Sequence, residues 1–326
     1  MANRSRRVTA KPASKRIALF IVLFLVSATG MMILHKADLL TPLADALFSW
    51  GDGGSTELVR IYPADTLDKT QTADIPDADI NTIVCSEYSF EELVNVPSVE
   101  VNQSLLLVNT KQKIPDDFPA EIIEYNDTGV LMNRCITDAY AELSKAVREK
   151  FDTKLYVSSS YRTAKEQADI IIEVGPETAT EVGASEHQTG LALDVYVAYY
   201  SGDGFIDCDA GKYVNESCTD YGFIIRYPKD KVDITGIRFE PWHIRYVGKP
   251  HSQIIGQNGV ALEEYIESYE VGAFYAVGDY VISRQKLEGV IRVPDGATSV
   301  TVSPDNMGNV FITAYYGSKE EGHGNN

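Results

Sequence analysis

The sequence predicts an α+β fold in which helices flank a central antiparallel sheet and a small C-terminal all-β appendage follows. Apolar residues recur at helical spacing early in the central part of the chain, and short strand-like runs cluster after them. Beyond about residue 268 the pattern changes to alternation that is interrupted by turn residues. Helices that come first and strands that cluster later favour this class over a regular βα alternation.

The N-terminal segment has the charge pattern of a membrane anchor. Residues 1–16 carry six Lys or Arg and no acid, and residues 17–34 are apolar apart from Ser27 and Thr29. Eighteen such residues are just long enough to cross a bilayer. We therefore expect a cytoplasmic basic tail at 1–16, a single-pass signal anchor at 17–35, and a catalytic domain outside the cell membrane. A cleaved signal peptide is the alternative, but the apolar run continues past the small residues at 26–28, which favours an anchor.

The net charge limits the class of binding partner, and the cysteines allow disulfide bonds. The net charge is −18, and because residues 1–16 contribute +6 the remaining chain carries −24. A domain this acidic is not expected to bind nucleic acid. Cys208 and Cys218 flank a polar insertion that a disulfide could close, which would leave Cys85 and Cys135 as a second pair. Four cysteines allow three pairings, and free thiols stay open as well.

The segment before the central domain is rich in Asp, Thr and Pro. Residues 36–103 contain two short strand-like runs, at 58–62 and 82–85, and are expected to form an extracytoplasmic tether or a small subdomain. A strand at 105–109 is expected to open the next domain, which spans 104–267.

Helical signals then alternate with strand signals. Apolar residues spaced by three or four from Met132 to Phe151 predict an amphipathic helix. After a strand at 155–158, Thr163 and Glu166 form a capping box, so a second helix is expected to begin after Arg162 and to end before Gly175. The other predicted elements of this domain are strands around 191–197, 223–227 and 243–247 and a closing helix at 262–266.

The last part of the chain predicts strands only. Four alternating runs between residues 268 and 316 are separated by Pro-Asp turns, which is typical of a small β unit. The Gly-rich segment 317–326 is expected to be a disordered tail.

Two short stretches bring together residue types that bind and use a metal. One contains His187 and Asp194, and the other contains Glu240 and His243. A straight strand would separate His187 from Asp194 by roughly 23 Å and a helix would separate them by about 10 Å, so the chain must bend between them, and Gly190 can adopt the required backbone. Two His, one Asp and one further Glu are the ligands and the base of a catalytic zinc site.

The structural alternatives apply to each residue alone. A single His in an alternating segment is more often a hydrogen-bonded core residue, and a Glu before Pro is more often part of a solvated turn. The coincidence of all four favours a metal site. The other histidines, His35, His251 and His323, lack this context and are predicted not to be ligands.

The motifs resemble those of a known enzyme family. Ser185-x-His187-x-x-Gly190-x-Ala192-x-Asp194, followed by Glu240-x-x-His243, is similar to the signature of the VanY-like D-alanyl-D-alanine carboxypeptidases. These belong to a group of zinc peptidases that includes the lysostaphin-type enzymes and the zinc domain of hedgehog proteins. The run from Ser158 to Arg162, with Gln167 after it, resembles the Ser-Gly-Tyr-Arg strand end of the family, although Ser159 stands where Gly is common. The resemblance covers roughly residues 104–267.

The resemblance implies a role for each residue. One Zn²⁺ per chain would be bound by His187, Asp194 and His243, with Glu240 as general base on the zinc-bound water. Arg162 would polarise the scissile carbonyl and stabilise the oxyanion. Substrate contacts are expected from the remaining motif positions: Gln167, Ser185, Tyr161 and Trp242.

We expect a zinc-dependent D,D-carboxypeptidase that removes the terminal D-alanine from peptidoglycan stem peptides. An L,D-carboxypeptidase or an endopeptidase would use the same zinc machinery. A non-catalytic zinc module for cell-wall binding or sensing is a further alternative, but such a module does not need Glu240 beside Arg162.

Overall fold

The structure is a computed structural model that describes residues 58–63, 82–177 and 179–318. The basic tail and the anchor predicted at 1–16 and 17–35 lie outside the described residues, as does nearly all of the tail predicted at 317–326. Within the described ranges, no helix is both long enough and apolar enough to cross a membrane.

The described residues contain fifteen strands. In chain order they are β1 (Val59–Pro63), β2 (Thr82–Ile83), β3 (Cys85–Tyr88), β4 (Val99–Val101), β5 (Ile122–Glu124), β6 (Leu131–Asn133), β7 (Tyr156–Ser159), β8 (Ala192–Tyr196), β9 (Phe223–Ile225), β10 (His243–Tyr246), β11 (Phe274–Val277), β12 (Tyr280–Lys286), β13 (Ile291–Pro294), β14 (Ser299–Pro304) and β15 (Asn309–Tyr315).

The helices of the described residues lie between these strands in the chain. They are α1 (Phe90–Leu93), α2 (Thr137–Phe151), α3 (Ala164–Val174), α4 (Asp209–Ser217), α5 (Val232–Thr235), α6 (His251–Asn258) and α7 (Leu262–Glu267).

The strands form two main sheets. The four-stranded sheet has the order β7-β8-β10-β9, and all of its neighbouring strands are antiparallel. Helix α2 covers one face of it, where Leu143 and Val147 share a buried cluster with Leu193 and Val195. This antiparallel sheet with a helix packed on it confirms the predicted α+β class.

The second sheet joins the two ends of the described chain. Its order is β2-β1-β11-β12-β15-β14-β4, so the predicted C-terminal strands pair with strands from the segment before the central domain. Val59 lies opposite Ala276, and Val99 lies opposite Val300. Alternation predicted the C-terminal strands. A local pattern cannot, however, identify a partner strand some 200 residues away.

The strand predicted at 105–109 is wrong. Residues 105–108 are buried, but Leu105 lies in a turn and the segment is not part of a sheet. The Leu105 N–H donates to Ser303 Oγ (2.9 Å) and the Leu107 N–H donates to the Asp305 carbonyl (3.3 Å). Leu105 and Leu107 pack into one apolar cluster, whereas Leu106 packs into another. Burial on both faces therefore explains the apolar run without a strand.

The starts of α2 and α3 differ in how clearly the sequence indicates them. Helix α2 begins at Thr137, later than the periodicity indicated, because Met132 lies in β6 and the Asn133 side chain accepts a hydrogen bond from the Cys135 N–H. Helix α3 begins as predicted, since Thr163 forms its capping box with Glu166.

The disulfide that the sequence left open between Cys208 and Cys218 does not form, because Cys135, Cys208 and Cys218 are free thiols. Cys208 and Cys218 lie at the two ends of α4. Ten residues of helix separate their Cα atoms by about 15 Å, whereas a disulfide requires about 4.4–6.8 Å. The insertion is therefore closed by a helix rather than by a covalent bond.

Candidate active site

The site lies on the face of the four-stranded sheet that is opposite to α2. Asp194 in β8 is paired with His243 in β10. On its other side Asp194 is paired with Ser159 in β7, just past a bulge. Leu193 and Val195, which flank Asp194 in β8, point into the core. The strand register thus brings three polar side chains into one row.

His187 reaches this row from a 3₁₀ turn formed by Glu186–Thr189. Gly190 ends the turn with φ +70°, in the left-handed region. A Cβ on Gly190 would lie 2.5 Å from Ile122 Cδ1 and 2.7 Å from the Asn133 nitrogen, so a larger residue does not fit. The bend that the sequence predicted at Gly190 is confirmed.

His187, Asp194 and His243 converge on one point. One ligand atom from each lies within 4.8 Å of the others. His243 Nδ1 is 3.0 Å from Asp194 Oδ1, and His187 Nε2 is 3.4 Å from Asp194 Oδ2. Two imidazole nitrogens and one carboxylate oxygen at this separation form a donor set that zinc binds readily.

The outer nitrogen of each ring also has a partner. His187 Nδ1 is 3.0 Å from the Ser160 carbonyl oxygen, and His243 Nε2 is 3.4 Å from Glu186 Oε2. An acceptor on the outer nitrogen fixes the tautomer in which the inner nitrogen carries a free lone pair, as in metal-binding histidines. The residues present therefore fit a metal ion.

Glu240 approaches the same point from the loop before β10. Its Oε2 lies 4.0 Å from His243 Nδ1, and its carbonyl accepts a hydrogen bond from the His243 N–H at 3.1 Å. Burial, and secondarily the negative charge of Asp194, raise the pKa of Glu240, although His243 opposes the shift. A carboxyl group with a raised pKa is suited to moving a proton near neutral pH.

The guanidinium of Arg162 is held by two acceptors. Nη1 donates to Gln167 Oε1 at 2.9 Å, and Nη2 donates to Ser159 Oγ at 3.0 Å. The Arg162 N–H donates to the His187 carbonyl at 3.1 Å. Gln167 in turn donates from Nε2 to the Thr180 carbonyl at 2.5 Å. Arg162 is thus fixed beside the three residues that could hold a metal ion.

A cavity of about 210 Å³ connects these groups. Its lining includes eight of the nine residues predicted from the motifs, namely Arg162, Gln167, Ser185, His187, Asp194, Glu240, Trp242 and His243. Tyr161 is not among the lining residues. Its N–H instead donates to the Leu131 carbonyl, which ties the end of β7 to β6.

Sequence reasoning missed the role of Glu186. This residue is fully buried, and its Oε1 accepts from Arg226 Nε at 2.7 Å and from Arg245 Nη1 at 2.9 Å. Arg226 is paired on its other side with both oxygens of Glu263, at 2.8 and 2.6 Å. The available signal was the presence of an arginine in each of two otherwise apolar strand segments, which requires buried acidic partners.

The charges of the site shift its pKa values in both directions. Burial alone would raise the pKa of Glu186, but the two arginines outweigh it and hold that pKa well below its usual range. Burial would lower the pKa of His243, but hydrogen bonds with Asp194 and Glu186 raise it to about 9. For His187 burial prevails over the attraction of Asp194 and lowers the pKa.

Comparison with known proteins agrees with the family resemblance of the sequence motifs. The family model of the VanY D-alanyl-D-alanine carboxypeptidases matches residues 129–249. A D-alanyl-D-alanine carboxypeptidase of Enterococcus faecium is 32% identical over 237 residues, which are 66% of this chain and 76% of that protein. VanXYC of Enterococcus gallinarum, a bifunctional D-Ala-D-Ala dipeptidase and D-Ala-D-Ala carboxypeptidase, is 35% identical over 180 residues, which are 48% of this chain and 94% of that protein.

A solved structure shares the fold. The vancomycin resistance D,D-dipeptidase VanXYg, in complex with a D-Ala-D-Ala phosphinate analogue, superimposes with a TM-score of 0.57 at 26% identity and covers 72% of this chain and 100% of that one. The matched family region, 129–249, includes His187, Asp194 and His243 together with Glu240 and Arg162. The chain therefore belongs to the VanY family of D-alanyl-D-alanine carboxypeptidases and is a peptidase, as the motifs around His187 and His243 predicted.

Proposed function

We propose that the chain is a zinc-dependent D,D-carboxypeptidase that removes the terminal D-alanine from peptidoglycan stem peptides. The observation that carries this proposal is the convergence of His187, Asp194 and His243 on one point, with Glu240 and Arg162 lining the same cavity. Membership of the VanY family supports the substrate class.

One zinc ion would be held by His187, Asp194 and His243. When bound, zinc acts as a Lewis acid and lowers the pKa of a coordinated water to about 7. The acceptors behind the two rings, the Ser160 carbonyl and Glu186, support this assignment because they orient both imidazoles toward the shared point.

Glu240 is the group in this cavity that can carry a proton. Its raised pKa keeps the carboxylate basic enough to accept a proton from the attacking water. The same carboxyl group then returns the proton to the amine of the departing D-alanine. Glu240 is therefore proposed as general base and general acid in succession.

Arg162 stabilises the negative charge that develops on the scissile carbonyl oxygen. Its planar fork is preorganised by Gln167 and Ser159, so little reorganisation is needed when the charge appears. Gln167 uses its oxygen on Arg162 and its nitrogen on Thr180, so we assign it chiefly the positioning of Arg162. Ser185, buried in the cavity wall, is the proposed donor to the terminal carboxylate.

The location of the enzyme is proposed from its first 35 residues. The basic tail and the apolar run that follows support an anchor that keeps the catalytic domain on the outer side of the cell membrane, next to its substrate. A reporter enzyme fused after Thr56 should be active outside the membrane only, and the mature protein should keep its first 16 residues. A mature N-terminus near residue 29 would show a cleaved signal peptide instead.

Hydrolysis of defined stem peptides tests the proposal. The full-length protein is incubated with pentapeptide and tetrapeptide stems, and the products are weighed by mass spectrometry. We expect the pentapeptide to lose one alanine, and a chelator to abolish the reaction. Loss of D-alanine from the tetrapeptide alone would show an L,D-carboxypeptidase. Equal cleavage of free and C-terminally amidated peptides would show an endopeptidase, and zinc binding without hydrolysis would show a non-catalytic module.

A further inference from the structure

A group of tyrosines lies on the sheet beside the metal-binding row. Tyr156 in β7 and Tyr196 in β8 are opposite each other, with ring centroids 5.2 Å apart and an interplanar angle of 24°. Tyr199 and Tyr200 follow in the turn after β8. Tyr156 and Tyr200 are each 41% exposed, and Tyr199 is fully exposed. We call these four residues the tyrosine platform.

The platform and the active site share one face of the sheet. Side chains alternate along a strand, so Tyr196 points to the same side as Asp194, whereas Val195 between them is buried in the core. Two residues of strand separate Asp194 from Tyr196 by roughly 7 Å. Along β7 and β8, the stacked tyrosines are therefore the next side chains on this face beyond Ser159 and Asp194.

The two ends of the site differ in how open they are. Strand β7 runs from Tyr156 to Ser159 and continues toward Arg162 and α3, so the platform and the Arg162 end lie in opposite directions along the strand. At the Arg162 end, α3 and the loop after it line the cavity, and Gln167 joins them through hydrogen bonds with Arg162 and the Thr180 carbonyl, so we call this the closed end. A cavity of about 210 Å³ has room for a terminal residue but not for a longer peptide.

We propose that the tyrosine platform binds the peptide segment that precedes the scissile bond and contacts chiefly the third residue of the stem. This inference rests on the proposed function, since the terminal D-alanine must occupy the closed end for the rest of the stem to leave toward Tyr196. An extended peptide advances about 3.3 Å per residue, so a distance of roughly 7 Å corresponds to two residues. The sugar to which a stem is attached lies several residues farther away.

The chemistry of the platform selects the side chain that it binds. Exposed tyrosine faces stack on aliphatic chains and attract cations. The chain beyond residue 16 carries −24, which favours a cationic ligand over an anionic one. A third residue with a long amine-bearing side chain satisfies both features, because its methylene groups can cover the rings while its ammonium group lies near their faces.

Substrate length provides the test. The full-length enzyme is assayed with an acylated D-Ala-D-Ala dipeptide and with a pentapeptide that carries lysine at its third position. For Tyr156→Thr and Tyr196→Thr we expect the ratio of kcat/KM for the pentapeptide to that for the dipeptide to fall about three- to tenfold, mainly through KM. Threonine keeps the strand propensity of both positions. Tyr199→Asn extends the test to a fully exposed side chain, at a φ of +72° that asparagine tolerates.

A second tyrosine pair provides the matched control. Tyr280 and Tyr315 are opposite each other in the seven-stranded sheet, with ring centroids 4.8 Å apart. Tyr280→Thr makes the same chemical change outside the catalytic sheet and should leave the substrate ratio at its wild-type value.

The possible results separate the inference from the function on which it rests. An unchanged ratio in all three platform variants, with melting temperatures showing that they are folded, would overturn the inference even though the wild type hydrolyses both substrates. A loss seen only with stems still attached to glycan would also overturn it and would assign the platform to the saccharide. A wild-type enzyme that hydrolyses neither substrate would refute the proposed function itself.

Discussion

Two buried histidines of this chain have opposite properties. His243 in the active site and His251 at the start of α6 are both almost inaccessible to solvent, with exposed fractions of 4% and 3%. The pKa of His243 is raised to about 9, whereas that of His251 is lowered to about 3. Burial is the same in both cases and lowers the pKa in both, so the neighbours decide the direction of the shift.

The neighbours differ in charge. His243 lies between two carboxylates, those of Asp194 and Glu186. The ring nitrogens of His251 have hydroxyl partners instead, with Nδ1 2.6 Å from Tyr265 Oη and Nε2 2.9 Å from Thr313 Oγ1. The first arrangement carries excess negative charge, which a metal ion requires, and it opens into a cavity, which a substrate requires. The second is neutral and joins α6 and α7 to β15 of the seven-stranded sheet. Substitutions in the first region should change chemistry, and substitutions in the second should change stability.

Replacement of Glu240 should give the largest effect. Glu240→Gln removes the proposed proton carrier while keeping the shape of the side chain, so we expect turnover to fall by about 10²–10⁴-fold. Zinc content, measured by atomic absorption, should stay near one per chain because Glu240 is not a proposed ligand. Loss of zinc in this variant would mean that Glu240 and Asp194 have exchanged roles. Glu149→Gln, on the exposed side of α2, is the control and should leave turnover unchanged.

Arg162→Lys should give the next largest effect. Lysine keeps the positive charge but cannot reproduce a planar fork held by both Gln167 and Ser159. If Arg162 stabilises the oxyanion, kcat should fall by about 10²-fold while KM changes much less. A raised KM with a nearly normal kcat would instead assign Arg162 to binding of the terminal carboxylate. The exposed Arg134, changed to Lys, is the matched control.

Glu186→Gln should weaken the metal site without removing a ligand. The carboxylate behind His243 orients the ring and increases its basicity, and loss of such a partner typically costs 10–100-fold in metal affinity. Competition with a chromogenic zinc chelator would measure this change. Glu186→Gln also leaves Arg226 and Arg245 with a neutral partner, so the melting temperature should fall. An unaltered zinc affinity at a lowered melting temperature would show that Glu186 only stabilises the fold.

The sequence predicts the proposed metal ligands better than it predicts the residues that support them. The proximity of His187 to Asp194 could be predicted because their spacing excludes a straight helix or strand and Gly190 supplies the bend. Glu186, next to His187, carries no local signal, because its partners Arg226 and Arg245 lie 40 and 59 residues away.

The same limit applies to the fold. Capping and periodicity placed α3 and the C-terminal strands, since these signals are local. The pairing of β1 with β11 and of β4 with β14 depends on contacts between distant segments, so no local pattern could reveal it. The segment 105–109 resembled a strand because both of its faces are buried. Its backbone, however, forms hydrogen bonds with side chains and loops rather than with a neighbouring strand.

The smallest effect is expected at His251, and it should appear in stability rather than in catalysis. In the folded protein burial lowers the pKa of His251 to about 3, whereas in the unfolded chain it is about 6.5. Between these pH values the unfolded state binds a proton that the folded state does not. The free energy of unfolding must therefore fall as the pH drops below about 6.5, and the fall ends near pH 3. At pH 5 the loss due to His251 alone is about 2 kcal/mol.

A double comparison isolates this contribution from the other titrating groups. Urea unfolding of the wild type and of His251→Gln is measured at pH 7 and at pH 5. Glutamine does not titrate, so the variant should lose about 2 kcal/mol less than the wild type between the two pH values. Its stability at pH 7 should nevertheless be lower, because the imidazole packs edge-on against Tyr265 and Phe311 and bridges two hydroxyl groups. Equal pH dependence in the two proteins would mean that His251 is protonated while folded, and the contrast with His243 would then be lost. Turnover per folded molecule at pH 7 should be the same in both proteins, since the hydrogen-bond partners of His251 belong to α7 and β15 and not to the cavity.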